Sequence, residues 1–395
     1  LFSSPRTLDG GCFALVFHAE LLNTCALMKA TRMAELFDVV GRQVGVTPAG
    51  SGNVNDTYVA VFRTTFSEER FVLQKLNLNV FPSPDAVMQN MRIVTEHVHE
   101  RLEAEADQAD RIWQLPRIIP TKSGQDYLIN EEGECWRAIS LIESATAHER
   151  VESPEHAHEA GVVMGQFQRL ISDIDVDALQ DTLPGYHITP GYLAEYDRVL
   201  ATTDGQRRLE AASIAKYCQR FVEDRRSWAS VLEDAQARGE LQQRPVHGDP
   251  KISNIMIDDD TGKGTCIIDL DTVKPGLIHY DFGDCLRSSC NLAGEEPKGL
   301  DQVRFDTDLC NAIVRGYMKN AKDFLTAGDR HYLYDSVRLI TFELGLRFFT
   351  DYLDGDRYFK TKYDGQNLNR AQVQFKLCES IEIREQSIRD ILTRY

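Results

Sequence analysis

The stretch that most constrains this chain lies between Val246 and Asp271. It reads Val246-His247-Gly248-Asp249-Pro250-Lys251-Ile252-Ser253-Asn254, then Ile255-Met256-Ile257, a polar turn over 258–264, and Cys266-Ile267-Ile268-Asp269-Leu270-Asp271. Two short apolar runs around a polar, glycine-containing turn predict a β-hairpin. Asp249 and Asn254 precede its first strand, and Asp269 closes its second. A hairpin brings its two ends together, so these three side chains are expected to converge. An Asp, an Asn and a second Asp at one point suit phosphoryl transfer from Mg-ATP. One carboxylate accepts the proton of the attacking hydroxyl, while a carboxylate and an amide oxygen hold the metal on the phosphates. Hard oxygen donors favour Mg²⁺ over a soft metal. A lone Asp-x4-Asn pair would be coincidence in most chains; the His-Gly-Asp lead and the Ile-Ile-Asp close make this one specific.

The rest of the chain is organised around that segment. Over 44–80 the residues are β-like, with Thr57-Tyr58-Val59-Ala60-Val61-Phe62 and Phe71-Val72-Leu73 supplying β-branched and aromatic side chains. Ser83-Pro84 marks a helix start, followed by Val87, Met91, Val94, Val98 and Leu102 on one apolar face. Trp136–Ile142 reads as a strand ending in the Glu143-Ser144 turn. From Ser153-Pro154 onward the pattern is mostly helical, with helical periodicity near 210–236 and 331–353. The expected organisation is an extension over 1–33, non-native or disordered, then an N-terminal nucleotide-binding lobe over 34–143. A catalytic and substrate-binding lobe over 144–395 completes it.

Bulk properties narrow the function classes. A net charge of −17 excludes a nucleic-acid partner, because phosphate backbones need clustered Lys and Arg. Nine cysteines without a zinc-like spacing read as reduced, mostly buried thiols of a cytoplasmic protein. No stretch approaches the roughly 20 apolar residues of a membrane span. A monomer without membrane or nucleic-acid partners is expected.

His247-Gly248-Asp249-x4-Asn254 with Ile268-Asp269 resembles the signature of the aminoglycoside phosphotransferase and choline kinase superfamily, which has a two-lobed, protein-kinase-like α+β fold. The resemblance implies that Asp249 is the catalytic base, that Asn254 and Asp269 bind metal, and that His247 braces the loop. Asp281-Phe282-Gly283 spells the metal motif of protein kinases, but Asp269 already ends the hairpin where the metal Asp belongs. In this superfamily the later Asp, here Asp281, resembles a structural residue tied to the catalytic loop.

Four further blocks resemble the N-acetylhexosamine 1-kinase family and appear in its order: Gly50–Tyr58, Phe71–Asn77, Ile268–Thr272, and Gly345–Phe348 with Asp351–Tyr358. The resemblance implies sugar contacts from Arg347 and Tyr358, with Asn53, Asn55 and Thr272 nearby. It places Gly50, Ser51 and Gly52 over the phosphates and the adenine against the backbone at Leu141 and Ile142. The strand lysine of the superfamily is displaced: Gln74 stands at its position and Lys75 beside it. Strand alternation lets only one of them face the nucleotide, and Gln74 is the expected one. Asn53 stands where a relative carries His.

The implied activity is transfer of the γ-phosphoryl group of ATP, with Mg²⁺, to the C1 hydroxyl of N-acetylglucosamine or N-acetylgalactosamine. The alternatives are a kinase of the same superfamily acting on choline, homoserine or an aminoglycoside, or an inactive nucleotide-binding module. Arg347 in the pocket disfavours cationic substrates, and the complete Asp249, Asn254 and Asp269 set disfavours an inactive module.

Overall fold

The computed structural model describes residues 24–49, 54–105 and 111–395. The chain divides into two compact units: one comprises residues up to 84 together with 116–141, the other 85–115 and 142–395.

The first unit is built on an antiparallel sheet. A helix, α1 (residues 24–34), leads into β1 (Arg42–Pro48), β2 (Asp56–Arg63) and β3 (Glu68–Leu76). The strands β4 (Ile118–Ile119), β5 (Tyr127–Ile129) and β6 (Cys135–Ser140) complete it, in the order β1-β2-β3-β6-β4 with β5 also on β6. Tyr58, Ala60 and Phe62 alternate along β2 and are buried with Phe71, Leu73, Trp136 and Ala138. Period-two burial of β-branched and aromatic residues is what selects a strand here rather than a helix.

The segment 24–33 corrects the expected extension. It is helical, and Ala30 and Ala34 are fully buried in the same cluster as Phe37 and Val46. Its apolar residues recur at helical spacing and close the exposed face of the sheet. The part of the expected extension before residue 24 lies outside the described residues.

The second unit is mostly helical. Helix α2 (Pro84–Ala104) starts at the expected proline, but beyond Pro84 it clusters with this unit and not with the N-terminal lobe. Its side chain Asn90 bonds the carbonyls of Gln180 and Val273, which ties the helix to the chain around the hairpin. After β7 (Ala145–Ala147), helix α3 (Pro154–Ile171) is capped by Ser153, whose hydroxyl accepts from His156 N–H. Helices α4 (Thr189–Leu200), α5 (Thr203–Ala211), α6 (Ser213–Arg225) and α7 (Val231–Ala237) follow. The strands β8 (Arg244–Val246), β9 (Ile255–Asp258), β10 (Gly264–Ile267) and β11 (Lys274–Gly276) carry the central segment. The remaining helices are α8 (Ile278–Ser289), α9 (Thr307–Ala321), α10 (Ala327–His331), α11 (Leu333–Leu353), α12 (Gln366–Ile383) and α13 (Glu385–Arg394).

Three helices set the scaffold of this unit. Helix α11 is buried nearly all round, as an apolar helix in the centre of a bundle must be. Helices α3 and α9 cross with their backbones almost touching. A Cβ on Gly161 would lie 2.0 Å from the Ile313 carbonyl oxygen, and one on Gly316 would lie 2.1 Å from that of His158. No flexible side chain can move aside, because the obstacle is backbone. Gly161→Ala should therefore cost about 1–3 kcal/mol through overpacking. A lowered denaturation midpoint in urea checks this, and an unchanged midpoint contradicts the crossing.

Candidate active site

The hairpin forms as expected: β9 and β10 pair antiparallel with Ile255 opposite Ile267. The N–H of Ile268 then bonds the carbonyl of Asn254 at 2.8 Å, so the residues flanking the two strands meet. Asn254 Nδ2 donates to the Asp249 carbonyl oxygen at 2.7 Å and to Asp249 Oδ2 at 3.3 Å. Asp269 has φ 68° and ψ 60°, a left-handed conformation that is costly for a non-glycine residue. The structure thus brings Asp249 and Asn254 into contact and places Asp269 one residue past the bond that joins the strand ends.

The loop before the hairpin is held from beneath. Asp281, fully buried on α8, accepts from the backbone N–H of His247 at 2.9 Å and of Gly248 at 2.8 Å. It also accepts from Gln168 Nε2 at 3.1 Å. Burial raises the Asp281 carboxyl pKa, an effect opposed by His247 and these N–H donors. Gly248 adopts φ 87°, and a Cβ there would meet the Thr272 carbonyl oxygen at 2.7 Å, so only glycine fits. The Thr272 hydroxyl donates to the His247 carbonyl at 2.7 Å, so this expected sugar-side residue also clamps the loop.

His247 has a defined tautomer. Its Nδ1 accepts from the Asp249 N–H at 3.2 Å, so its Nε2 is the donor to the Ile268 carbonyl at 3.0 Å. Burial lowers its pKa, which keeps this ring neutral.

Two residues at the site have no role assigned from the sequence, Lys251 inside the signature stretch and Tyr186 outside it. Lys251 Nζ donates to Asp249 Oδ2 at 2.6 Å. Burial works against this charge, but the Asp249 carboxylate outweighs it and holds the ammonium above its usual pKa, with Asp269 and Asp284 adding to the effect. The position two residues after Asp249 was the available signal for Lys251. Tyr186 lies close enough to Asp249 that its phenol is raised first by burial and then by that carboxylate.

Arg347 is the second focus. Its guanidinium lies over the rings of Tyr186 at 5.2 Å, Tyr192 at 5.1 Å and Phe359 at 5.6 Å. Among the described residues no carboxylate stands within ion-pair distance of it. Tyr358, 65% exposed, packs edge-on against Phe359, so Phe359 is the ring that meets Arg347. Both aromatics are delivered by Asp351, whose carboxylate accepts from the N–H groups of Arg357, Tyr358 and Phe359 at 2.9, 2.8 and 2.9 Å. The chain reverses there through Gly355 and Asp356, at φ 96° and 58°. Tyr186 and Tyr192 lie outside every sequence motif.

Within the first unit, Gln74 and Lys75 point to opposite faces. Gln74 stands between Thr57 and Arg137 in a row across three strands. Its Oε1 accepts from Arg137 Nε at 3.0 Å and Nη2 at 2.7 Å, and Arg137 is 1% exposed. Lys75 instead pairs with Asp56 at 2.6 Å. The Asn55 side chain accepts from Asn77 N–H at 3.0 Å. Leu141 and Ile142 follow β6 in irregular chain, while Gly50, Ser51, Gly52 and Asn53 lie outside the described residues.

A β-rich first unit, a helical second unit and an Asp-Asn-Asp hairpin site together define a phosphotransferase of α+β, protein-kinase-like architecture. The chain belongs to the phosphotransferase enzyme family (APH), whose profile matches residues 45–305. Solved structures share the fold. An aminoglycoside phosphotransferase from Alicyclobacillus acidocaldarius is 13% identical, with a TM-score of 0.60 over 92% of this chain and 96% of the other. Choline kinase from Cryptosporidium parvum is 10% identical, with a TM-score of 0.53 over 87% and 90%. A spectinomycin phosphotransferase in complex with ADP and spectinomycin is 11% identical, with a TM-score of 0.50 over 87% and 94%. No helix among the described residues is long and apolar enough to cross a membrane.

Asp281→Ala should destabilise the protein by at least ~2 kcal/mol, since it strands two buried backbone donors. Thermal melting of Asp281→Ala beside wild type checks this. Equal melting temperatures for Asp281→Ala and wild type would contradict the assignment.

Proposed function

We propose that the protein is a kinase transferring the γ-phosphoryl group of ATP to the C1 hydroxyl of an N-acetylhexosamine, N-acetylglucosamine or N-acetylgalactosamine. The observation that carries the substrate class is the Arg347 cluster. Tyr186, Tyr192 and Phe359 form the kind of aromatic surround that could receive a cationic ligand, but the protein's own guanidinium occupies it. A cationic acceptor such as choline or an aminoglycoside would meet like charge there. A neutral sugar offers oxygen acceptors to the same guanidinium.

The catalytic arrangement fits this chemistry. Lys251 and Asn254 both bond Asp249 Oδ2, which leaves Oδ1 to accept the proton of the acceptor hydroxyl. An anomeric hydroxyl is more acidic than an ordinary alcohol, so a carboxylate suffices as base. Asn254 spends its amide nitrogen on Asp249, which turns its oxygen away. With the Asp269 carboxylate this makes a hard-donor pair suited to Mg²⁺. Once bound, the ion would neutralise charge on the transferring phosphates. The nucleotide would be read by the backbone at Leu141 and Ile142 and by the face of β3 that carries Gln74. Use of ATP is supported by family membership and by the ADP complex of the spectinomycin phosphotransferase.

Asp249→Asn should keep ATP binding and lose turnover by roughly 10²–10⁴-fold, the range for removing a general base. Arg347→Ala should raise the KM for N-acetylglucosamine by roughly ten- to a hundredfold, for a lost charge-assisted hydrogen bond, and leave that for ATP unchanged. Steady-state kinetics read both. Near-normal turnover in the first variant, or an unchanged sugar KM in the second, would defeat the reading.

A further inference from the structure

His187 is a buried titratable group that the scheme above leaves unused. It precedes α4 and is 4% exposed, with φ at 65°. A non-glycine residue keeps that conformation only where its surroundings over-determine it. Both ring nitrogens are bonded. Nδ1 lies 2.9 Å from Glu343 Oε1, and Nε2 lies 2.9 Å from the Gly248 carbonyl oxygen. The second Glu343 oxygen accepts from the Thr189 hydroxyl at 2.8 Å. A carbonyl oxygen only accepts, and so does Glu343 as a carboxylate; with Glu343 ionised, both nitrogens of His187 carry protons and the ring is an imidazolium, the form that the neighbouring carboxylate favours.

The peptide that joins Gly248 to Asp249 is therefore gripped at both ends by histidines of opposite character. Its oxygen is held by charged His187, and its N–H by the acceptor nitrogen of neutral His247. We propose that His187, anchored by Glu343, is a positioning residue that fixes this peptide plane and hence the direction in which Asp249 presents its carboxylate. The proposal rests on Asp249 as the base and not on the identity of the sugar. The anchor is also shared with the substrate pocket. Glu343 and Arg347 lie one turn apart on α11, and Tyr186, which packs on Arg347, also packs on His187 at a ring separation of 4.0 Å.

The groups around the ring favour its charge. Glu343 faces it from α11, and Tyr280 and Asp284 from α8, with Tyr280 stacked at 5.3 Å. Glu233 of α7 lies behind Tyr280, bonded to its hydroxyl at 3.3 Å. Asp249 and Lys251 lie beyond the Gly248 carbonyl. Burial opposes the charge, but the Glu343 carboxylate outweighs it and raises the His187 pKa above its ordinary 6.5. The stabilisation is thus fully present below the unfolded value and is lost as pH rises through the raised folded one. Phosphoryl transfer should fail on the alkaline side.

The test is kcat against pH, with melting temperature alongside, for wild type, Glu343→Gln and His187→Gln. N-acetylglucosamine serves as acceptor, and slow ATP hydrolysis as the readout should that sugar not react. Wild type should show a falling alkaline limb. Glu343→Gln should move that limb to lower pH, and His187→Gln should abolish it. Turnover in both variants should fall by roughly up to 10²-fold, the cost of a misplaced catalytic group, with the KM for ATP unchanged. A limb that stays in place in Glu343→Gln, or a loss that merely follows melting temperature, overturns the proposal. A ¹⁵N titration of histidine-labelled wild type decides independently of activity and of variant folding. One ring should keep both protons to higher pH than a free histidine, and the lack of any such ring overturns the proposal, whereas failure of the sugar to react overturns only the substrate reading.

Discussion

The carboxylate of Asp281 receives the N–H groups of two consecutive residues, His247 and Gly248, at a position with no access to water. Leaving either donor unpaired there would cost on the order of 1–3 kcal/mol. That pairing holds the loop in one conformation, and the other features of the site follow from it. Gly248 can then take its left-handed φ against Thr272. The Gly248 carbonyl and the Asp249 N–H then point to opposite sides, where one histidine can meet each. Asp249 emerges from a backbone that is fixed on three sides, with Lys251 and Asn254 bonded to the same carboxylate oxygen. Preorganisation of this kind is the main thing a protein can supply to phosphoryl transfer, because the chemistry itself needs positioned charge and little else.

The scaffold explains why the loop can be held so firmly. Gln168 on α3 reaches the Asp281 carboxylate, and the Tyr317 hydroxyl on α9 bonds Gln168 in turn at 2.7 Å. That chain of bonds requires α3 and α9 to lie very close together, which the glycines at 161 and 316 allow. Helix α11 adds the other side, carrying Glu343 toward the loop and Arg347 toward the aromatic rings. A close helix crossing and an all-round buried helix thus serve the site as well as the core.

Sequence carried the local part of this site and little of the long-range part. The hairpin, its flanking Asp249, Asn254 and Asp269, and the helix start at Pro84 were legible because strand alternation, turn residues and caps act over a few neighbours. The turn at Gly355-Asp356 was legible for the same reason, although not that it would bring Phe359 rather than Tyr358 against Arg347. Tyr186, His187 and Tyr192 were not legible. They belong to no motif, and their partners are 61 to 161 residues away in the chain. The helix over 24–34 was not expected because residues up to 33 read as an extension, whereas the fold needs only Ala30 and Ala34 on one buried face. Arg137 was not legible because it sits inside an otherwise apolar strand, and its bonds to Gln74 across the sheet help to make its burial tolerable.

The central claim is that this phosphotransferase acts on the anomeric hydroxyl of a neutral amino sugar derivative. The most direct measurement is ³¹P NMR of the product after incubating the protein with ATP, Mg²⁺ and a panel of N-acetylglucosamine, N-acetylgalactosamine, choline, homoserine and an aminoglycoside. The account predicts a sugar 1-phosphate, recognised by coupling of its phosphorus to the anomeric proton, and no phosphorylated choline or aminoglycoside. Phosphorylation of a cationic acceptor with both hexosamines left untouched would contradict it.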